Sequence, residues 1–145
     1  MILSIFGAFL AAVGFAVIFN IRGKELLAAA IGGTLGFACY TIQLEFGTSN
    51  ITALFISSLI FSIFSEVFAR KLKVPVTVFL VIALIILVPG KGMYYTMFEI
   101  IQGNTNQAIL TGIDTLASAG ALALGTIFVS TLTKLITKKK NSKKI

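Results

Sequence analysis

The stretch LIILVPGKGMYYTMFEII (residues 84–101) carries the groups best suited to chemistry. An apolar run meets Pro89-Gly90, then Lys91 and a second glycine, and apolar and aromatic residues resume around Glu99. On a helix, Tyr95, Thr96, Glu99 and Gln102 share a face through spacings of three, four and seven. Met93, Met97, Ile100 and Ile101 lie toward the other face. A carboxylate, a hydroxyl and a phenol on one face suit a small polar solute. The start of this helix, near Lys91 and Gly92, offers free N–H groups and a positive dipole end that could hold a carboxylate. Asp114 is the second candidate acid. An acid inside a membrane is by default a candidate for proton or substrate work.

What must position these residues is a bundle of membrane helices. Of 145 residues, 57% are hydrophobic and 12% charged, with a mean hydropathy of +1.02. A soluble domain carries about a quarter charged residues. The expected fold is therefore an all-α integral membrane protein of five spans. They are Ile2–Phe19, Leu26–Phe46, Ile51–Ala69, Val74–Val88 and Thr111–Leu132, with a short amphipathic helix at Met93–Gln102 after the fourth. Residues 1–133 form a single transmembrane domain, and 134–145 a basic cytoplasmic tail. That tail, KLITKKKNSKKI, is read either as a disordered stop-transfer anchor or as a segment that binds anionic lipid head groups.

Charge placement sets the orientation. The first apolar run lacks a basic segment before it and is followed by Arg22 and Lys24, so it reads as an uncleaved span with its amino end outside. Eleven of the twelve Lys and Arg residues then fall in the cytoplasmic regions Asn20–Glu25, Arg70–Lys73 and the tail, and only Lys91 lies outside. The net charge of +7 is thus a topology signal in a cell-membrane protein, and no nucleic-acid partner is expected. Two acids have structural explanations. Glu66 stands four residues before Arg70, the spacing of a helical ion pair, and Glu45 is solvated at a helix end.

Small residues mark where helices approach, since lipid gives no hydrophobic drive between spans. Gly32, Gly33 and Gly36 mark the second span. Ala117, Ala121 and Gly125 form a four-residue stripe on the fifth. Some of these faces could meet another subunit, including a second copy of the chain.

The break at Pro89-Gly90 has two readings. Val74–Val88 is 15 residues, about 22 Å of helix against a hydrocarbon core of about 30 Å. Either the bilayer thins and the chain turns at its surface, or the helix unwinds inside the membrane. Pro89 donates no backbone hydrogen bond, and Gly90 tolerates an unwound conformation. Short segments interrupted by Gly or Pro point to a transporter's binding site.

GFAVIFN (residues 14–20), PVTVFLVIALIILVPGKGMYY (75–95) and SAGALALGT (118–126) occur in the order and at the spacing of the small membrane subunit of the threonine/serine exporter family, which the chain resembles over most of its length. The resemblance implies an inner-membrane exporter that works with a larger membrane subunit bearing a soluble N-terminal domain. It implies a substrate such as threonine or serine, or in some members a dicarboxylate such as succinate. It draws Asn20, Pro89, Gly90 and Tyr94 into the substrate path, along with Gly14 and Phe15 as family positions. Tyr95, Thr96, Glu99 and Asp114 join that path on the helical-face reasoning alone. The other function class is a holin-like or structural membrane protein without specific transport. An enzyme is not expected: there is no histidine, no metal-ligand cluster and no nucleophile–base spacing, and no cofactor is called for. Cys39, in an apolar run, reads as a small core residue.

Overall fold

The computed structural model describes residues 1–142, with side chains to Ile136. Among these residues the chain is all helix: α1 (Ile2–Ile18), α2 (Gly23–Glu45), α3 (Asn50–Leu72), α4 (Thr77–Leu87), α5 (Gly90–Ile101) and α6 (Thr105–Ser142). Three helices, α2, α3 and α6, are each long and apolar enough to cross a membrane. The pair α4 and α5 passes the same test as one span bent by 46°. Helix α1 has 17 residues, at the lower limit of a spanning helix. The protein is a multi-pass membrane protein, and large apolar side chains such as Phe6, Leu10, Leu116, Ile127 and Phe128 cover its outside.

Short connections fix antiparallel neighbours. The α2–α3 turn uses Gly47 at φ 78°, a left-handed conformation without penalty for glycine. Ser49 then caps α3, its Oγ accepting from the Thr52 amide at 3.3 Å. Helix α2 is central, packing on α1, α3 and α4, while α6 packs on α3 and α5. Buried residues Ala12, Ala16, Ala28–30, Ala69, Phe79 and Ile82 form one core cluster. Leu54, Phe61, Ala83, Leu87 and Leu122 form the other.

The glycines of α2 act as the sequence predicts. A Cβ on Gly33 would stand 3.5 Å from Ala83 Cα and 3.7 Å from Ala12 Cβ, so α1, α2 and α4 meet at this point. The stripe on α6 differs from expectation. Ala117 is exposed while Ala121 and Gly125 are buried, and the buried face runs Thr115, Ser118, Ala121/Leu122, Gly125, Val129. These spacings alternate between three and four, because 3.6 residues per turn carries a strict four-residue row around the helix.

Three boundaries move. Helix α4 starts at Thr77 because Lys73 leaves α3 in a left-handed conformation (φ 58°) and Pro75 follows. The unwound residues are Val88 and Pro89, whereas Gly90 is the first helical residue of α5 and has no positive φ. Gly90 is thus not the unwound point. Helix α6 extends beyond the predicted span at both ends, through the start of the basic segment to Ser142, where the sequence suggested disorder. Residues 143–145 of that segment lie outside the described residues, as do the side chains from residue 137 on, and with them the lipid-binding reading.

Candidate functional site

The break exists because Pro89 cannot supply the amide that would continue α4. The Val88 amide makes the last bond of α4, to the Leu84 carbonyl at 2.8 Å, and the Gly90 amide turns back to the Val88 carbonyl at 2.7 Å. Helix α5 therefore starts at an angle of 46° to α4, and Gly90, Lys91 and Gly92 of its first turn border the space beside the bend.

That space is a cavity of about 560 Å³, within the size range of small-molecule sites. The break forms one wall, with Val88, Pro89, Gly90, Lys91 and Gly92, and Tyr95 and Glu99 follow from α5. Helix α6 contributes Gln107, Thr111, Asp114, Thr115 and Ser118. Phe37 and Tyr40 come from α2, Asn50 and Leu54 from α3, and Ile86 and Leu87 from α4. Both signs of charge are present. Lys91 Nζ sits 5.7 Å from the centre of the Tyr95 ring, within cation–π range. Glu99 Oε2 accepts from Asn104 Nδ2 at 2.8 Å, which ties α5 to the turn before α6.

One hydrogen-bonded chain joins three helices at the cavity. The Tyr40 hydroxyl donates to Asn50 Oδ1 at 2.8 Å, and Asn50 Nδ2 donates to Ser118 Oγ at 2.9 Å. Tyr40 is on α2, Asn50 opens α3 and Ser118 lies on the buried face of α6. Nearer the end of α2, Gln43 Nε2 lies 3.2 Å from the Cys39 carbonyl and 3.4 Å from the Ser57 hydroxyl, so a second polar contact links α2 and α3.

The predicted path residues divide. Pro89, Gly90, Tyr95, Glu99 and Asp114 line the cavity. Tyr94 does not. It is 65% exposed, stacked on Phe98 and edge-on to Tyr95, because one helical residue turns it about 100° away from the cavity. Thr96 packs between helices: its hydroxyl donates to the Gly92 carbonyl at 2.8 Å and its methyl faces Gly112. Asn20 lies in the α1–α2 turn, holding a left-handed conformation (φ 56°) and accepting from Arg22 Nε at 3.0 Å. The 23 residues of α2 separate that turn from the α2–α3 turn beside the cavity, about 33 Å of helix. Glu66 pairs with Arg70 at 3.0 Å as its spacing predicts, and Glu45 is exposed.

Tyr40, Asn50, Gln107, Thr111, Thr115 and Ser118 are the polar lining groups that sequence reasoning missed. Ser118 lies seven residues before Gly125, the one signal that could have put it on the packed face. Among the described residues, no group of three or more His, Cys, Asp or Glu side chains could hold a metal.

Residues 4–132 match the family model described as Threonine/Serine exporter, ThrE. No curated protein and no solved structure matches the chain.

Proposed function

This chain belongs to the threonine/serine exporter family, and on that premise we propose that it is the small subunit of a secondary transporter. It carries small amino acids, threonine and serine first, or related small carboxylates, out across the cytoplasmic membrane. The observation that carries this reading is the cavity at the α4–α5 bend, lined by Lys91 on one hand and by Glu99 and Asp114 on the other. A zwitterion needs both signs. Lys91 and the opening amides of α5 receive its carboxylate. Asp114 and Glu99 receive its ammonium group.

A larger membrane subunit completes the path. Helix α5 packs against α6 and leaves Met93, Met97, Phe98, Ile100 and Ile101 exposed. That apolar side suits a neighbouring helix. The amino terminus is outside and the carboxyl terminus cytoplasmic, on the distribution of basic residues.

The test is efflux from proteoliposomes loaded with labelled threonine, containing this chain alone, a larger family subunit alone, or both. Saturable threonine efflux that requires both chains is the expected result. Full efflux from this chain alone refutes the subunit role. Unselective release of sugars and dyes together with threonine overturns specific transport in favour of a pore former.

A further inference from the structure

We propose that the cavity also takes amino acids with bulky apolar side chains, phenylalanine above all, holding the head group on one wall and the side chain on the other. The proposal rests on the exporter reading above and widens its substrate class.

The two walls come from different helix pairs. Helix α2 packs on α4 and α5 packs on α6, while α3 touches α2, α4 and α6. The cavity lies between the pairs. The α5–α6 wall is polar and carries Lys91, Glu99, Gln107 and Asp114. Among the described residues, none of its three charged groups forms an ion pair, so each is available to a charged head group. The α2–α4 wall is apolar. It carries Phe37 and Tyr40 from α2, Ile86 from α4, and Val88 at the end of α4.

The apolar wall has surface to offer. Phe37, Tyr40 and Ile86 are half-buried, and Val88 is exposed. The rings of Phe37 and Tyr40 stand 6.3 Å apart at 48°, within the range of an aromatic pair. The Tyr40 hydroxyl is already bonded to Asn50, so a ligand meets its ring. A phenyl side chain laid against this pair buries apolar area and adds a third ring to it. Serine and threonine leave most of this wall uncovered. The volume of about 560 Å³ is that of pockets that hold drug-sized molecules, so bulk does not bar entry. A lipid acyl chain on the apolar wall would leave Lys91, Glu99 and Asp114 facing hydrocarbon, which is costly. A zwitterion with an apolar side chain matches both walls.

Phenylalanine and threonine share a head group and differ in side chain, so they provide the test. Efflux of the two labelled amino acids is measured in proteoliposomes holding this chain with the larger subunit, against empty liposomes. Protein-dependent phenylalanine efflux that threonine competes with is the expected result. Phe37→Ala removes a ring from the apolar wall and should lower the phenylalanine-to-threonine ratio of kcat/KM about tenfold. Val88→Thr keeps the shape of the wall but sets a hydroxyl on it, and should lower the ratio about threefold or more. Phe6→Ala removes an exposed ring of α1 outside the cavity lining, and the ratio should hold. An unchanged ratio in Phe37→Ala or in Val88→Thr overturns the proposal while the exporter reading stands. So does a wild-type pair that exports threonine but not phenylalanine, or that exports phenylalanine without competition from threonine. Absence of efflux of both amino acids from the wild-type pair overturns the exporter reading and the proposal with it.

Discussion

Gly92, two residues past the break, is the glycine on which the α5–α6 contact depends, and replacing it by alanine should separate the two helices. A Cβ on Gly92 would land on the Thr115 hydroxyl, 3.2 Å from Thr115 Cβ and 3.3 Å from its methyl. Thr115 cannot easily yield, since it is buried and its hydroxyl is bonded to the Thr111 carbonyl at 2.6 Å. Carbon atoms pack best at about 3.5–4.0 Å, so α5 must withdraw by roughly half an ångström or more. Overpacking of this kind costs about 1–3 kcal/mol, or about 5- to 150-fold in the population of the tight arrangement. Gly90→Ala is the contrast. A Cβ there meets nothing within 4 Å, and its φ is not positive. That change should be neutral or slightly stabilising, since alanine favours helix by about 1 kcal/mol over glycine. The assay is a disulfide between Thr96→Cys and Gly112→Cys in a Cys39→Ala background. A Cβ on Gly112 stands 3.3 Å from the Thr96 methyl, so the pair is within bridging reach. Gly92→Ala should slow the cross-link and reduce threonine efflux together, and Thr115→Ala, which removes the hydroxyl and methyl in the way, should restore much of both. Wild-type cross-linking in Gly92→Ala, or equal slowing of the cross-link by Gly90→Ala, would refute the reasoning.

Three further outcomes are expected. Gly125→Ala should lower the detergent melting temperature more than Gly120→Ala, because a Cβ on Gly125 meets the Ser58 side chain and stands 3.1 Å from the Phe55 carbonyl, whereas Gly120 has open space; equal effects would place the α3–α6 contact elsewhere. Gln43→Leu should destabilise by about 1–3 kcal/mol, read as loss of thermal stability in detergent, because fully buried Ser57 loses its bond to Gln43. A reporter fused after Ile145 should be active only in its cytoplasmic form, and an external signal would reverse the orientation drawn from the basic residues.

The contrast between Gly90 and Gly92 shows where sequence is informative and where it is not. Proline's missing amide is a property of one residue, so the break at Pro89 is legible without any partner. The Glu66–Arg70 pair is legible for the same reason, since a single helix brings both ends together. The importance of Gly92 depends on the rotation of α6, which puts Thr115 rather than Asp114 against α5, and nothing local to Gly92 records that. The hydrogen-bonded chain is harder still. Tyr40 and Asn50 are 10 residues apart and Asn50 and Ser118 are 68 apart, so no helical period relates them. Each alone is an ordinary polar residue. They become a site because the α2–α3 turn sets Asn50 at the level of the bend, and because the close approach at Gly125 draws the Ser118 face of α6 onto α3. The charged groups that the sequence did reveal, Lys91, Glu99 and Asp114, lie on α5 and α6, while Tyr40 and Asn50 come from α2 and α3 packed beside them.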